Sequence, residues 1–322
     1  MTPARLPAMD ALARGFVNVR ANRELVLVQI ASGLLLAASI LVPVLLFLVR
    51  LGIPLSVFTA RDPEALAREI ESIQVDFGQL TSMLGLGLIV LLVVGTLVFI
   101  LYCWFQAGTL AVLLAGEAQA PLARKAPPEV FRTFTWAGFV GWASRYGMRL
   151  FWVNNIFLML LTLVLIAFTL PFLLAAWLSE GTISAVGCVV GCGLALPLGF
   201  VAVVVVLAMM VAQVCAVEEG TSAWRATRRG FAITGHRLGG LLLLYLLMIV
   251  GSLAVTTLFG VLGLVLNLAL ARLALLQTVL SAGLGVVEFV LSVCLTLVMT
   301  AAIVALVRSE MRLESAAPRT GE

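Results

Sequence analysis

Apolar residues in this chain fall into six long stretches, and polar residues collect in the segments between them. Each stretch is long enough for a helix to cross a hydrocarbon core, which takes about 20 residues. The predicted spans lie at residues 25–49, 83–105, 151–178, 185–217, 241–266 and 277–307. The pattern therefore predicts an all-α fold, a polytopic transmembrane helical bundle with six spans. The apolar character after Phe105 continues to Gly116, so we expect the second helix to protrude or to bend near Trp104.

The composition agrees with lipid as the main solvent. Of the 322 residues, 62% are hydrophobic and 11% are charged, whereas soluble chains have roughly 45–50% apolar and about 25% charged residues. The net charge of +4 rests on few charged sites. These values exclude a disordered chain, a disulfide-rich secreted domain and a basic nucleic-acid-binding domain. We expect membrane lipids as partners and no nucleic acid.

The arginines and the single lysine predict the orientation of the spans. Sixteen of the twenty basic residues fall on one side, in the N-terminal tail, in residues 116–150 and 218–240, and in the C-terminal tail. The positive-inside rule places this side in the cytoplasm. We predict a cytoplasmic interfacial helix at residues 1–24, a six-span domain at 25–307 and a cytoplasmic tail at 308–322.

Amphipathic segments precede several of the spans. Ala11–Glu24, Trp136–Phe151 and Ala223–Gly240 each combine arginines with aromatic residues, a mixture typical of interfacial helices. The first and third share a pattern at an offset of 215 residues, with Ala11, Arg14, Gly15 and Phe16 matching Ala226, Arg229, Gly230 and Phe231. This favours a plan of interfacial helix plus hairpin used three times. Residues 62–80 predict one more amphipathic helix, on the opposite side.

The third of these segments supplies a candidate site. Its basic side chains are spaced to contact a phosphate or a lipid headgroup, or to form a plain anchoring band. The candidate contacts are Arg225, Arg228, Arg229, His236 and Arg237.

Small residues recur every four positions in the fourth span, at Gly187, Gly191, Ala195 and Gly199. Such a face lets another helix approach closely. Packing inside the monomer, dimerisation and a substrate groove are the three uses left open.

Glu288 is the one carboxylate inside a predicted span. A carboxyl group at this depth has to be neutral, paired or facing a wet cavity. No Arg, Lys or His lies at a matching depth, so its partners would be polar neutral residues. The candidates are Gln29, Asn155, Gln213 and Asn267, a serine or threonine, or a freed backbone carbonyl. A structural role for protonated Glu288 and a role in proton or cation coupling both stay open.

Catalytic motifs are missing from the sequence. His236 is the single histidine and Lys125 the single lysine, and no phosphate-binding loop, nucleophile elbow or zinc-protease helix occurs. We predict no catalytic residue, no metal site and no cofactor. A lipid-modifying enzyme using His236 would need a second acid or base that the sequence does not place beside it.

The segment around residue 220 resembles a known family. Glu218-Glu219-Gly220, Ala223-Trp224-Arg225-Ala226 and Arg229-Gly230-Phe231 form an acidic-glycine turn, an interfacial helix and a basic lead into a hairpin. This layout resembles the six-helix membrane domain associated with glycerophosphodiester phosphodiesterases and related bacterial membrane proteins. The resemblance implies a six-span helical bundle in the bacterial inner membrane that handles or senses lipids. It does not carry the phosphodiesterase activity, which belongs to a soluble domain.

We therefore expect a non-enzymatic accessory or scaffold protein that binds lipids and works with other membrane proteins or with further copies of itself. The alternative is a small transporter or permease subunit that uses Glu288.

Overall fold

The computed structural model describes residues 6–50, 77–120, 127–178, 185–270 and 273–316, and all secondary structure there is helical. The helices are α1 (Ala8–Ala21), α2 (Glu24–Arg50), α3 (Phe77–Gln119), α4 (Trp136–Leu178), α5 (Ala185–Glu218), α6 (Ala223–Ala269) and α7 (Ala274–Ala316), with a short 3-10 helix at Pro128–Phe131. Helices α2 to α7 are long and apolar enough to cross a membrane. The predicted all-α fold is confirmed, and the chain is a multi-pass membrane protein.

Each predicted span lies within one of these helices, but most of the helices are longer than the span. Helices α3, α4 and α7 have 43 residues each, which is about 64 Å at roughly 1.5 Å per residue. A hydrocarbon core is only about 30 Å thick. A large part of each of these helices must therefore lie outside the hydrocarbon.

The extra length comes from segments that the sequence assigned to the membrane surface or to the tail. The predicted interfacial stretches at 136–151 and 223–240 are the first turns of α4 and α6. Helix α3 continues without interruption past Trp104, and residues 308–316 complete α7. Of the amphipathic helix predicted at 62–80, residues up to 76 lie outside the described residues, and Phe77 begins α3.

Two of the helix boundaries have clear local causes. Helix α1 follows Pro7, whose extended backbone (φ −66°, ψ 151°) leads into the first turn, and it ends at Asn22. Before α6, Gly220 has a φ of 60°, a left-handed conformation that suits glycine because it lacks a Cβ. Within α6, Arg237 leaves helical geometry (φ −123°, ψ 18°). The basic first part of α6 is thereby set apart from its apolar span.

The chain divides into two compact units, Ile30–Cys103 and the remainder, Met1–Gln29 with Trp104–Glu322. The first of these units holds most of α2 and the first part of α3. Its described apolar side chains are largely exposed, for example at Leu34, Leu41, Leu92 and Leu97. Exposed aliphatic side chains on such helices are the surface expected to face lipid.

In the larger unit, α4 packs on α5, α5 on α6, α6 on α7, and α1 on α7. We call residues 6–29, 104–120, 127–157, 205–244 and 297–316 the basic end of this unit, and its other described residues the far end. Buried side chains collect at the basic end, and Phe259 is the one described residue of the far end that is buried. The core of this unit therefore sits at the end where most of the arginines are.

Candidate functional site at the basic end

Asparagine side chains hold α1 against the turn that precedes α4. The Asn22 amide donates to the carbonyl of Phe131 (2.8 Å), and its oxygen accepts from the backbone N–H groups of Thr133 (3.0 Å) and Phe134 (2.9 Å). Asn18 donates to the carbonyl of Leu113 on α3 (3.0 Å). Both asparagines are buried. Asn22 provides partners for backbone groups that helices cannot satisfy where the chain turns, and Asn18 joins α1 to a carbonyl within α3.

A buried ion pair joins α1 to the end of α3. The Nε of Arg14 donates to Oε1 of Glu117 at 2.8 Å, and the two residues are only 3% and 5% exposed. The Arg14 guanidinium also lies over the Phe131 ring, 5.5 Å from its centre. Charges this deeply buried are tolerated because they are paired and hydrogen-bonded.

Two further acids occupy comparable places near the ends of α5 and α7. Arg308 on α7 pairs with Glu218 (3.2 Å) and donates to the carbonyl of Leu114 on α3 (2.6 Å). Arg237, at the irregular point of α6, donates to Glu310 (2.5 Å). The three helices that run toward the basic end thus each carry a glutamate that an arginine of another helix neutralises.

A small cavity of about 10 Å³ lies beside the first of these pairs, lined among others by Arg14, Glu117, Arg308 and Arg312. The second carboxylate oxygen of Glu117 is buried and has no hydrogen-bond partner among the described residues. A space of this size holds about one water molecule, and a water here would complete the hydrogen bonding of the carboxylate.

The aligned glycines Gly15 and Gly230 both lie at close helix contacts. A Cβ on Gly15 would come within 2.6 Å of the Val298 carbonyl oxygen on α7, and one on Gly230 within 2.7 Å of the Ala212 Cβ on α5. In each case the interfacial segment packs on the final turns of a span. The repeated sequence pattern thus corresponds to a repeated packing contact.

The predicted headgroup residues divide into two sets. Arg229 pairs with Glu219 (3.0 Å) and with Glu314, and Arg237 pairs with Glu310. Arg225, Arg228 and His236 are exposed, and the Arg228 guanidinium lies 5.2 Å from the centre of the Trp224 ring. The structure therefore does not gather the five side chains into one clamp.

The small-residue face of α5 is open where its surroundings are described. A Cβ on Gly199 would meet no atom within 4 Å, and Ala195 is partly exposed. Gly187 and Gly191 belong to α5, but their surroundings lie outside the described residues. At Gly199 the face is not covered by another described helix of this chain.

Glu288 lies in the far end, 14 residues after the start of α7, or about 21 Å along the helix axis. It is partly exposed, and no hydrogen bond or ion pair joins it to another described residue. Its four predicted partners bond elsewhere: Gln213 with Asn154, Gln29 with Thr109, Asn155 with the Phe151 carbonyl, and Asn267 with Gln277.

Sequence reasoning missed the residues that build the core of the basic end. Glu117, Glu218 and Glu310 were treated as members of polar loops or tails, and Asn18 and Asn22 were not singled out. A usable signal was present for Glu117 and Glu218, because each directly follows a long apolar run, whereas Arg308 and Ser309 separate Glu310 from the last apolar run. The helix fixes the position of such a glutamate, so a cation from a neighbouring helix is expected to pair with it.

No protein-family model matches this chain, and neither a curated protein nor a solved structure shows significant similarity to it.

Proposed function

We propose that this chain is a non-enzymatic accessory or scaffold protein of the bacterial inner membrane, with cytoplasmic termini, that binds lipid headgroups through the exposed arginines of its basic end. The observation that carries the proposal is the division of those arginines. Arg14, Arg237 and Arg308 are engaged with glutamates inside the bundle, whereas Arg225 and Arg228 are exposed beside Trp224. The exposed set is therefore available to an external anion.

The surroundings of the exposed set suit a membrane interface. Trp224 and Phe231 are exposed on the same part of α6, and aromatic side chains with arginines are the usual composition of segments at headgroup level. An arginine near an anionic bilayer surface contributes about 1 kcal/mol to lipid attraction. Two of them would enrich anionic lipids around this face.

The scaffold part of the proposal rests on the far end. Its helices expose aliphatic side chains, and a Cβ on Gly199 or Gly260 would meet no atom of the described residues within 4 Å. Glycine positions without a neighbour allow another helix to approach closely. Other membrane proteins or further copies of this chain are the partners that would use them.

The test is lipid retention by the full chain. The protein is incorporated into nanodiscs that contain equal amounts of phosphatidylglycerol and phosphatidylcholine and is then released from them. The lipids that stay bound to the protein are counted by native mass spectrometry. The double variant Arg225→Gln/Arg228→Gln is expected to lower the preference for phosphatidylglycerol by roughly tenfold or more.

The matched control is Arg20→Gln/Arg23→Gln, which removes two exposed arginines with the same change in net charge. It is expected to have a smaller effect, because neither arginine lies over a tryptophan ring. Equal losses in both double variants, or no preference in the wild type, would contradict a specific headgroup site on α6.

One observation favours the transport alternative. Glu288 has no polar partner among the described residues, and an unpaired carboxyl group at membrane depth is either protonated or in contact with water. Proteoliposomes with an imposed proton gradient test this alternative. Uptake that depends on pH and is lost in Glu288→Gln supports coupling, and an absence of proton flux in the wild type counts against it.

A further inference from the structure

A second pocket at the basic end lies between the last turns of α3 and the first turns of α4. It encloses about 180 Å³ and is partly open to the outside. Its floor is formed by α3, through Leu114 and the three alanines Ala111, Ala115 and Ala118. The alanines follow each other at spacings of four and three, so they share one face of the helix. Space remains between the helices because these three side chains are too small to fill it.

The opposite wall of the pocket is aromatic, and its end is acidic. Trp142 and Tyr146, one turn apart on α4, line the wall, and Glu218 from the end of α5 closes the pocket. The Glu218 side chain is 29% exposed and bonds Arg308 through Oε1 at 3.2 Å. Aromatic faces and a carboxylate are together the groups that bind organic ammonium ions.

Two arginine side chains lie just outside this pocket. The guanidinium groups of Arg145 and Arg149 lie 5.5 Å and 5.6 Å from the centre of the Tyr146 ring. Arg149 is committed to the Gly220 carbonyl (2.5 Å), but Arg145 is exposed. A simple cation would be repelled by these arginines, whereas a ligand with both an ammonium and a phosphate group would match both signs of charge.

We propose that this pocket binds a phosphoethanolamine group, with its ammonium between Trp142, Tyr146 and Glu218 and its phosphate toward Arg145. The group can come from an aminophospholipid in the bilayer or from a free, water-soluble phosphoethanolamine. The site shares no residue with the exposed arginines of α6. It therefore does not depend on the headgroup site proposed above.

The experiment compares binding by the full chain in detergent micelles. Native mass spectrometry measures the uptake of phosphatidylethanolamine and of phosphatidylglycerol with identical acyl chains. The parent protein carries Arg225→Gln/Arg228→Gln, because the exposed arginines of α6 are themselves expected to attract phosphatidylglycerol, and each variant below is made in this background. The parent protein is expected to prefer phosphatidylethanolamine by about threefold or more, the scale of one cation–π contact. Trp142→Leu is expected to lose this preference. Trp152→Leu, an exposed tryptophan on the same helix outside the pocket, is expected to keep it.

Glu218→Gln is a less specific test, because it would also remove the ion pair between Glu218 and Arg308. Ala115→Leu therefore serves as the second test, since it fills the pocket without removing a polar contact. Its matched control is Ala137→Leu, at an exposed position of α4. A parent protein without preference, or an Ala115→Leu variant of it that retains the full preference, would overturn the proposal.

The source of the group is decided by competition. If soluble phosphoethanolamine displaces the lipid in the parent protein but not in Ala115→Leu, the pocket takes the free compound. If the lipid stays bound while the pocket variants still lose it, the pocket takes the lipid headgroup.

Discussion

The two ends of the larger unit are made of the same long helices but differ in what they bury. At the basic end, apolar side chains such as Leu207 and Leu241 are fully buried beside buried polar residues such as Arg14, Glu117 and Asn22. At the far end the described aliphatic side chains are mostly exposed, and Leu196 is 82% exposed. The change occurs within single helices, because Leu196 and Leu207 both belong to α5.

The difference is the one expected if the far end lies in lipid and the basic end extends beyond the hydrocarbon into the headgroups and water. In lipid, burial of apolar surface gives little drive for helix association, because the acyl chains are as apolar as leucine. Outside the hydrocarbon, water makes both apolar burial and unpaired charge decisive. The helices are therefore expected to be held together mainly at the basic end, and the predictions below test that asymmetry.

Loss of the buried carboxylate should have the largest effect. Glu117→Gln removes the carboxylate that bonds Arg14 and that lines one small cavity together with Arg308 and Arg312. Removing one partner of a buried ion pair costs about 3–5 kcal/mol. The unfolding free energy in mixed micelles is expected to fall by that amount.

The double variant Arg14→Met/Glu117→Met is the control for this pair, since it removes both charges and keeps apolar volume. It is expected to be more stable than Glu117→Gln. A double variant that is less stable than Glu117→Gln would show that the uncompensated charge is not the main cause of the lost stability.

Leucine truncation compares the two ends of one helix. Leu207→Ala empties a fully buried position of α5 and is expected to cost about 2–5 kcal/mol. Leu196→Ala is expected to change the unfolding free energy by less than about 0.5 kcal/mol. The same titration measures both. A large cost at Leu196 would mean that a partner or a further copy of the chain covers this position.

Glycine substitution makes the same comparison along α6. A Cβ on Gly230 would lie 2.8 Å from the Ala208 carbonyl oxygen, whereas one on Gly260 would meet nothing within 4 Å. Gly230→Ala is expected to cost about 1–3 kcal/mol, because the α5 backbone has to shift. Gly260→Ala is expected to be neutral or stabilising by up to about 1 kcal/mol. Thermal unfolding midpoints of the two variants check the order, and equal midpoints would refute it.

Glu288→Gln is the far-end counterpart of Glu117→Gln and should have the smallest effect. No described residue pairs with Glu288, so a neutral side chain of equal size is expected to change the unfolding free energy by less than about 0.5 kcal/mol. Membrane insertion, measured by cell fractionation, should be unchanged. A loss of several kcal/mol would indicate that the carboxyl group has a partner outside the described residues.

Local patterns along the chain were enough to establish the class of this protein and the course of its helices. Apolar runs such as residues 151–178 leave no alternative to a membrane helix, because backbone groups in lipid must be satisfied within the segment. The repeated pattern around Gly15 and Gly230 also marks two glycines that both lie at close helix contacts. These features are local, and local patterns can be read without knowing what lies beside them.

Which charges face each other depends instead on how the helices pack. Arginines in similar sequence positions have different surroundings in the structure. Arg228 is exposed, Arg229 pairs with two glutamates, and Arg237 pairs with Glu310 on another helix. The pairing of Arg14 with Glu117 spans 103 positions. Helix periodicity fixes the direction of a side chain relative to its own axis, but the partner is set by how the helices pack, and packing depends on contacts between residues far apart in the chain.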